Sequence, residues 1–183
     1  MLKMSTPRTF RLDKHLLDEL EKEAERQRIS VNSLVNRLIE GYVVYGRYRE
    51  HFDTIALNRL TFLSLLDKLS GEDLRNIARK RGVETPRELI PLCGKKLDLE
   101  GVLFFMKTVL QDHCHWFIMY VFDEESSLRI ILRHQWGEKW SKWLQAYVES
   151  LSLNILHTNP FFEEVADNYV VFTLKKNSSQ KTP

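Results

Sequence analysis

The stretch RTFRLDKHLL, Arg8–Leu17, changes its hydrophobic period part-way along, and that change limits what can surround it. From Thr9 to Asp13 polar and apolar residues alternate, which predicts a short strand with Phe10 and Leu12 on one face and Thr9 and Arg11 on the other. Asp13 then reads as an N-cap, and Leu16, Leu17, Leu20 and Ala24 follow at helical spacing among charged residues. The tripeptide RIS breaks the pattern, and Ser30 is placed to cap a second helix whose apolar face is Leu34, Val35, Leu38, Ile39 and Tyr42. A strand and two helices in about 35 residues are too few to bury these faces alone. With no cysteine and no metal-ligand spacing in this stretch, association of two copies is the remaining route. Two strands would pair antiparallel about a twofold axis, and four helices would close a shared core behind them.

Strand TFRLD, helix KHLLDELEKEAERQR, turn IS and helix VNSLVNRLIEGYV together resemble the ribbon-helix-helix fold of small prokaryotic repressors such as the methionine and Arc repressors. The resemblance covers Arg8 to Tyr45. It implies DNA binding by a two-stranded β-ribbon lying in the major groove, with outward-facing residues on base edges. Here those residues are Thr9 and Arg11, while Arg8 and Lys14 flank the ribbon and fall to phosphate. Ser30, Asn32 and Ser33 match the family's phosphate clamp, where amides at a helix N-terminus receive an anion. Arg28 stands near a position where the family often has glycine, and it adds a positive charge beside the clamp.

Beyond Tyr45 the pattern predicts a strand over FDTIALN, a helix over RLTFLSLLDKLS and a basic helix from Gly71 to Gly82. The cations of that last helix, Arg75, Arg79, Lys80 and Arg81, read as a solvated face or as a second phosphate contact. A loop containing Pro86 and Pro91 follows. LEGVLFFMKTVLQD reads as a helix, and HWFIMYVFDEESSLRIILRHQ as two strands joined by a polar turn. GEKWSKWLQAYVESLSLNIL is helical, with Trp140, Trp143, Leu144, Tyr147 and Leu151 near one face, and NYVVFTLKK closes as a strand. The resulting β-α-β-β-α-β order, with extra helices, is like a small ferredoxin-like or other α+β sensor module. In architecture alone, the plan resembles the nickel-responsive regulators, which join a ribbon-helix-helix domain to a ferredoxin-like ligand-binding domain.

Imidazole and thiolate suit nickel, zinc or copper, and DHCHW sets His113, Cys114 and His115 side by side. On a strand, however, His113 and His115 would share a face opposite Cys114, so three adjacent ligands are not expected and no metal site is assigned. Arg133 and His134 end a predicted strand just before Trp136, Trp140 and Trp143. They are the candidates for holding an anionic ligand against an aromatic wall.

A formal net charge of +2 means that any nucleic-acid surface must come from local clustering. Two cysteines, Cys93 and Cys114, do not make a disulfide framework and point to a reducing compartment. No apolar run reaches the length of a signal peptide or membrane span, GVLFFMKTVL being cut by Lys107, so a cytoplasmic protein without membrane contact is expected. No nucleophile elbow, phosphate-cradling glycine loop or paired zinc motif is present, which argues against an enzyme.

The expected fold is therefore α+β in three parts. Residues 1–48 form a ribbon-helix-helix DNA-binding and dimerisation domain, 49–176 an α+β ligand-binding or oligomerisation domain, and 177–183 a disordered tail. The expected function is that of a transcriptional regulator binding double-stranded DNA as a homodimer, with dimers able to join as tetramers and a small molecule or metal as effector. An antitoxin, or a dimerising interaction module without specific DNA binding, are the alternatives. The sequence indicates no particular cofactor.

Overall fold

The computed structural model describes residues 6–48 and 56–176. The chain divides into two compact units, Met1–Arg47 and Tyr48–Pro183.

The first unit is a helical pair, α1 (Lys14–Gln27) and α2 (Val31–Val44). Among the described residues no strand precedes it. Residues 6–13 carry no regular secondary structure and are exposed, which overturns the ribbon-helix-helix assignment in which a β-strand comes first. A strand exists by pairing with a neighbour, and the described residues of this unit supply no second strand. Alternation of side chains alone does not make a ladder. Asp13 does stand at the N-cap of α1, but its side chain makes no capping bond; its carbonyl accepts from the amides of Leu16 and Leu17 at 3.0 and 3.1 Å. Arg28 ends α1 in the left-handed conformation, φ 54°, with its amide on the Glu25 carbonyl and that of Ile29 on the Ala24 carbonyl.

The second unit begins with α3 (Arg59–Lys68) and α4 (Gly71–Leu92), followed by α5 (Leu99–Phe104), which continues as a wider π-helix to His113. Strands β1 (Ile118–Asp123) and β2 (Ser127–Arg133) come next, then α6 (Glu138–Leu151) with a π-helical end at Ser152–Leu156, then β3 (Phe161–Ala166) and β4 (Tyr169–Lys175). The sheet order is β1-β2-β4-β3, antiparallel at every pairing. This is two hairpins side by side, linked by α6, and it departs from the ferredoxin-like β-α-β-β-α-β order. Of the strand predicted over 52–58, residues 52–55 lie outside the described residues, and Ala56–Asn58 form no strand, Asn58 capping α3 instead. The tail 177–183 also lies outside them.

Two local readings change as well. Helix α4 does not stop at Gly82 but runs on through Pro86 and Pro91. Gly82 is buried against α6, where a Cβ would come 2.5 Å from the Tyr147 carbonyl oxygen, so glycine here permits close approach of two helices and does not end one. His113 and His115 do not share a strand: His113 closes the π-helix, and His115 lies in the left-handed region at φ 55° before β1 begins.

One face of the sheet makes the core. Leu128, Ile130 and Leu132 of β2 and Val170, Phe172 and Leu174 of β4 are buried, as period-two alternation requires, and α6 packs against β3, β4 and α4. From α6, Trp140, Trp143, Leu144, Tyr147 and Leu151 are buried together. Four tryptophans and Tyr147 form one aromatic cluster: Trp140 stacks on Trp143 at 4.7 Å and Trp143 on Tyr147 at 4.8 Å, while Trp116 meets all three edge-on. Trp136 adjoins Trp140 at 5.7 Å, and Phe62 of α3 sits edge-on to both.

Candidate functional site

The N-terminal residues singled out for DNA fall into two local groups. Arg8, Thr9 and Arg11 lie in the exposed irregular segment, and Lys14 is the first residue of α1. Ser30, Asn32 and Ser33 gather at the start of α2. Ser30 Oγ accepts from the Ser33 amide at 3.1 Å and lies 2.8 Å from Ser33 Oγ. That leaves the amides of Val31 and Asn32, the first two of the helix, without intrahelical acceptors and aimed outward from its positive end. Asn32 Oδ1 is engaged with Asn36 Nδ2 at 3.2 Å. Arg75, Arg79, Lys80 and Arg81 of α4 are exposed, and three of them are drawn into ion pairs: Arg79 to Glu149 at 3.4 Å, Arg81 to Glu84 at 3.2 Å and Lys80 to Glu84 at 3.9 Å.

The apolar side chains of this unit are largely uncovered. Phe10 is 69% exposed, Tyr42 64% and Leu38 56%, with Leu12, Leu16, Leu17, Ile39 and Val43 also exposed, whereas Ala24 and Leu34 are buried.

In the second unit a cavity of about 580 Å³ opens between the start of α3, the end of the π-helix, β1 and the corner after β2. Arg133 and His134 both line it, beside Gln135 and Trp136 of the same corner and together with residues distant in sequence: Arg59, Gln111, Asp112, His115, Phe117 and Ile118. Arg59 reaches across 76 positions of sequence to donate from Nη2 to the Gln135 carbonyl, and its guanidinium lies 5.9 Å from the Trp136 ring centroid. No local signal marks such a pairing.

His134 serves as structure in this wall. It is 5% exposed, and its Nδ1 accepts from the Trp136 amide at 3.2 Å. The proton is therefore on Nε2, which donates to Ser141 Oγ at 2.9 Å, and Ser141 donates in turn to the Ala166 carbonyl. Burial holds the imidazole down at about 4, so the ring is neutral at physiological pH. Both ring nitrogens are thus engaged within the protein, while the Arg133 side chain has no ion pair among the described residues.

Among the described residues no three His, Cys, Asp or Glu side chains converge into a metal-binding group. Neither cysteine forms a disulfide. Among the described residues no helix is long and apolar enough to cross a membrane. No family model matches the chain, and no curated protein matches it in sequence.

Proposed function

We propose that this protein is a sequence-specific DNA-binding transcriptional regulator, acting in the cytoplasm as a homodimer through its N-terminal unit. The observation that carries the reading is the coincidence, in one small helical pair, of an uncovered apolar face with an exposed arm bearing Arg8 and Arg11. Two helices with so much exposed leucine, isoleucine and aromatic surface are incomplete as a monomer, and a second copy offers a matching apolar surface about a twofold axis. The arm and the start of α2 are left for DNA: Arg11 and Thr9 toward base edges, Arg8, Lys14 and the amides behind Ser30 toward phosphate. Groove contact would fall to this irregular exposed segment, without a β-ribbon.

The test is selection of bound sequences from a random DNA pool with the purified chain and with Arg11→Ala. The wild type should enrich a short repeat with half-sites set by the dimer, and the variant should lose that preference while keeping its helical circular dichroism. Binding should weaken with salt at a log-log slope of about −0.9 per phosphate contacted. Enrichment of the same repeat by Arg11→Ala, or no enrichment and no salt-dependent binding by the wild type, overturns the reading.

A further inference from the structure

We propose that the cavity bounded by Arg59, Arg133 and Trp136 is a binding site for a small organic carboxylate with a flat apolar body. Its volume, about 580 Å³, lies within the range of small-molecule sites, and its composition is of the same kind: an apolar wall with a few polar groups converging on it.

The charge of the lining favours a monoanion. Arg59 is held in place by the Gln135 carbonyl, an acceptor that carries no formal charge, and by the face of Trp136. Its positive charge is positioned but not neutralised. Arg133 has no ion pair among the described residues. Asp112 is the one acidic residue of the lining; its carboxylate accepts from Gln111 Nε2 at 2.7 Å and forms no salt bridge with either arginine. Two guanidiniums against one carboxylate leave room for a single further negative charge, and a carboxylate matches the guanidinium fork in two hydrogen bonds. A dianion such as a phosphate monoester would face Asp112 as well.

The wall is set before any ligand arrives. The Trp136 amide is pinned to His134 Nδ1, and His134 is fixed through Ser141 to the Ala166 carbonyl, so the indole that faces the cavity hangs from a closed hydrogen-bond chain. Gln111 is fixed likewise, its Oε1 accepting from the Met119 amide at 2.7 Å. Little ordering is left for binding to oppose.

The experiment is titration of the full chain with benzoate, followed by tryptophan fluorescence and by the Trp136 indole resonance. Benzyl alcohol serves as the uncharged body and inorganic phosphate as the anion without one. No DNA is present, so the outcome is separate from that of the DNA selection. Benzoate should saturate in the roughly millimolar range expected of so small a ligand. Arg133→Ala and, independently, Arg59→Ala should each weaken it roughly tenfold, Arg133→Lys less, and benzyl alcohol should give no saturable change. The proposal is overturned if benzoate gives no saturable change, if both alanine variants bind it like the wild type, or if phosphate binds as tightly and displaces it.

Discussion

Gly82 of α4 faces the backbone of Tyr147 on α6 so closely that a Cβ would stand 2.5 Å from the Tyr147 carbonyl oxygen and 3.2 Å from Ser150 Cβ. The obstacle is a main-chain atom inside a buried helix pair, and it cannot swing aside. Alanine gains about 1 kcal/mol over glycine in a helix interior, but overpacking of this kind costs about 1–3 kcal/mol. Gly82→Ala should therefore lower the urea midpoint read by tryptophan fluorescence. Gly71→Ala is the control, because at the first position of the same helix a Cβ would meet only Arg75 Nη1 at 3.6 Å. Equal midpoints for the two variants would mean that α4 and α6 lie further apart than described.

The left-handed Arg28 gives a change of opposite sign. At φ 54° a side chain costs roughly 1 kcal/mol relative to glycine, and here it ends a helix in the position glycine favours. Arg28→Gly should stabilise the N-terminal unit by about 0.5–1 kcal/mol, seen as slower amide hydrogen exchange in the last turn of α1. If that exchange quickens, the turn does not have this geometry.

Tyr147 is fully buried, and its hydroxyl has no hydrogen-bond partner among the described residues. Burial pushes its ionisation well above the ordinary tyrosine range, so the phenol stays protonated with an unused donor. Removing an unsatisfied buried hydroxyl while keeping the ring should be neutral or stabilising by about 1 kcal/mol. Tyr147→Phe can be compared with wild type by thermal melting; a clear loss of stability would show that the hydroxyl has a partner after all.

His134 makes stability depend on mild acid. Its folded value of about 4 lies below the ordinary 6.5, so between those limits the unfolded chain binds a proton that the folded chain refuses. Stability is full above pH 6.5 and falls as pH drops through the window, by up to about 1.4 kcal/mol per pH unit. His113, also lowered by burial, acts in the same direction. Measured from pH 6.5 down to about 5, above most carboxylate titration, the urea midpoint should fall in wild type and fall less in His134→Asn. Parallel curves would move the acid sensitivity to other groups.

What the sequence reveals and what it hides differ for physical reasons. Helices α1, α2 and α6 and strands β1, β2 and β4 are legible because each buries or presents one periodic face, and periodicity is a property of the local chain. Strand β3 is hidden because FFEEVA scarcely alternates, although the two-residue Asp167–Asn168 loop before Tyr169 is a hairpin signal that could have revealed it. The continuation of α4 is hidden because the reason for Gly82 lies on another helix. Alternation over Thr9–Asp13 predicts a strand but supplies no partner for it, and the described residues contain none beside it. The cavity is half legible: Arg133 and Trp136 are sequence neighbours of the same corner, but Arg59 joins them only through tertiary contact.

Trp136 belongs to two structures at once. It walls the cavity beside Arg59, and it is the outermost ring of a run that passes through Trp140 and Trp143 to the buried Tyr147. The site and the interior therefore have a common party wall, Trp136 standing in the cavity lining and 5.7 Å from the buried Trp140. Whatever settles against the outer side of that wall braces the inner side as well, so occupancy should be registered as resistance to heat, and repacking of the deepest rings should retune what the mouth will hold.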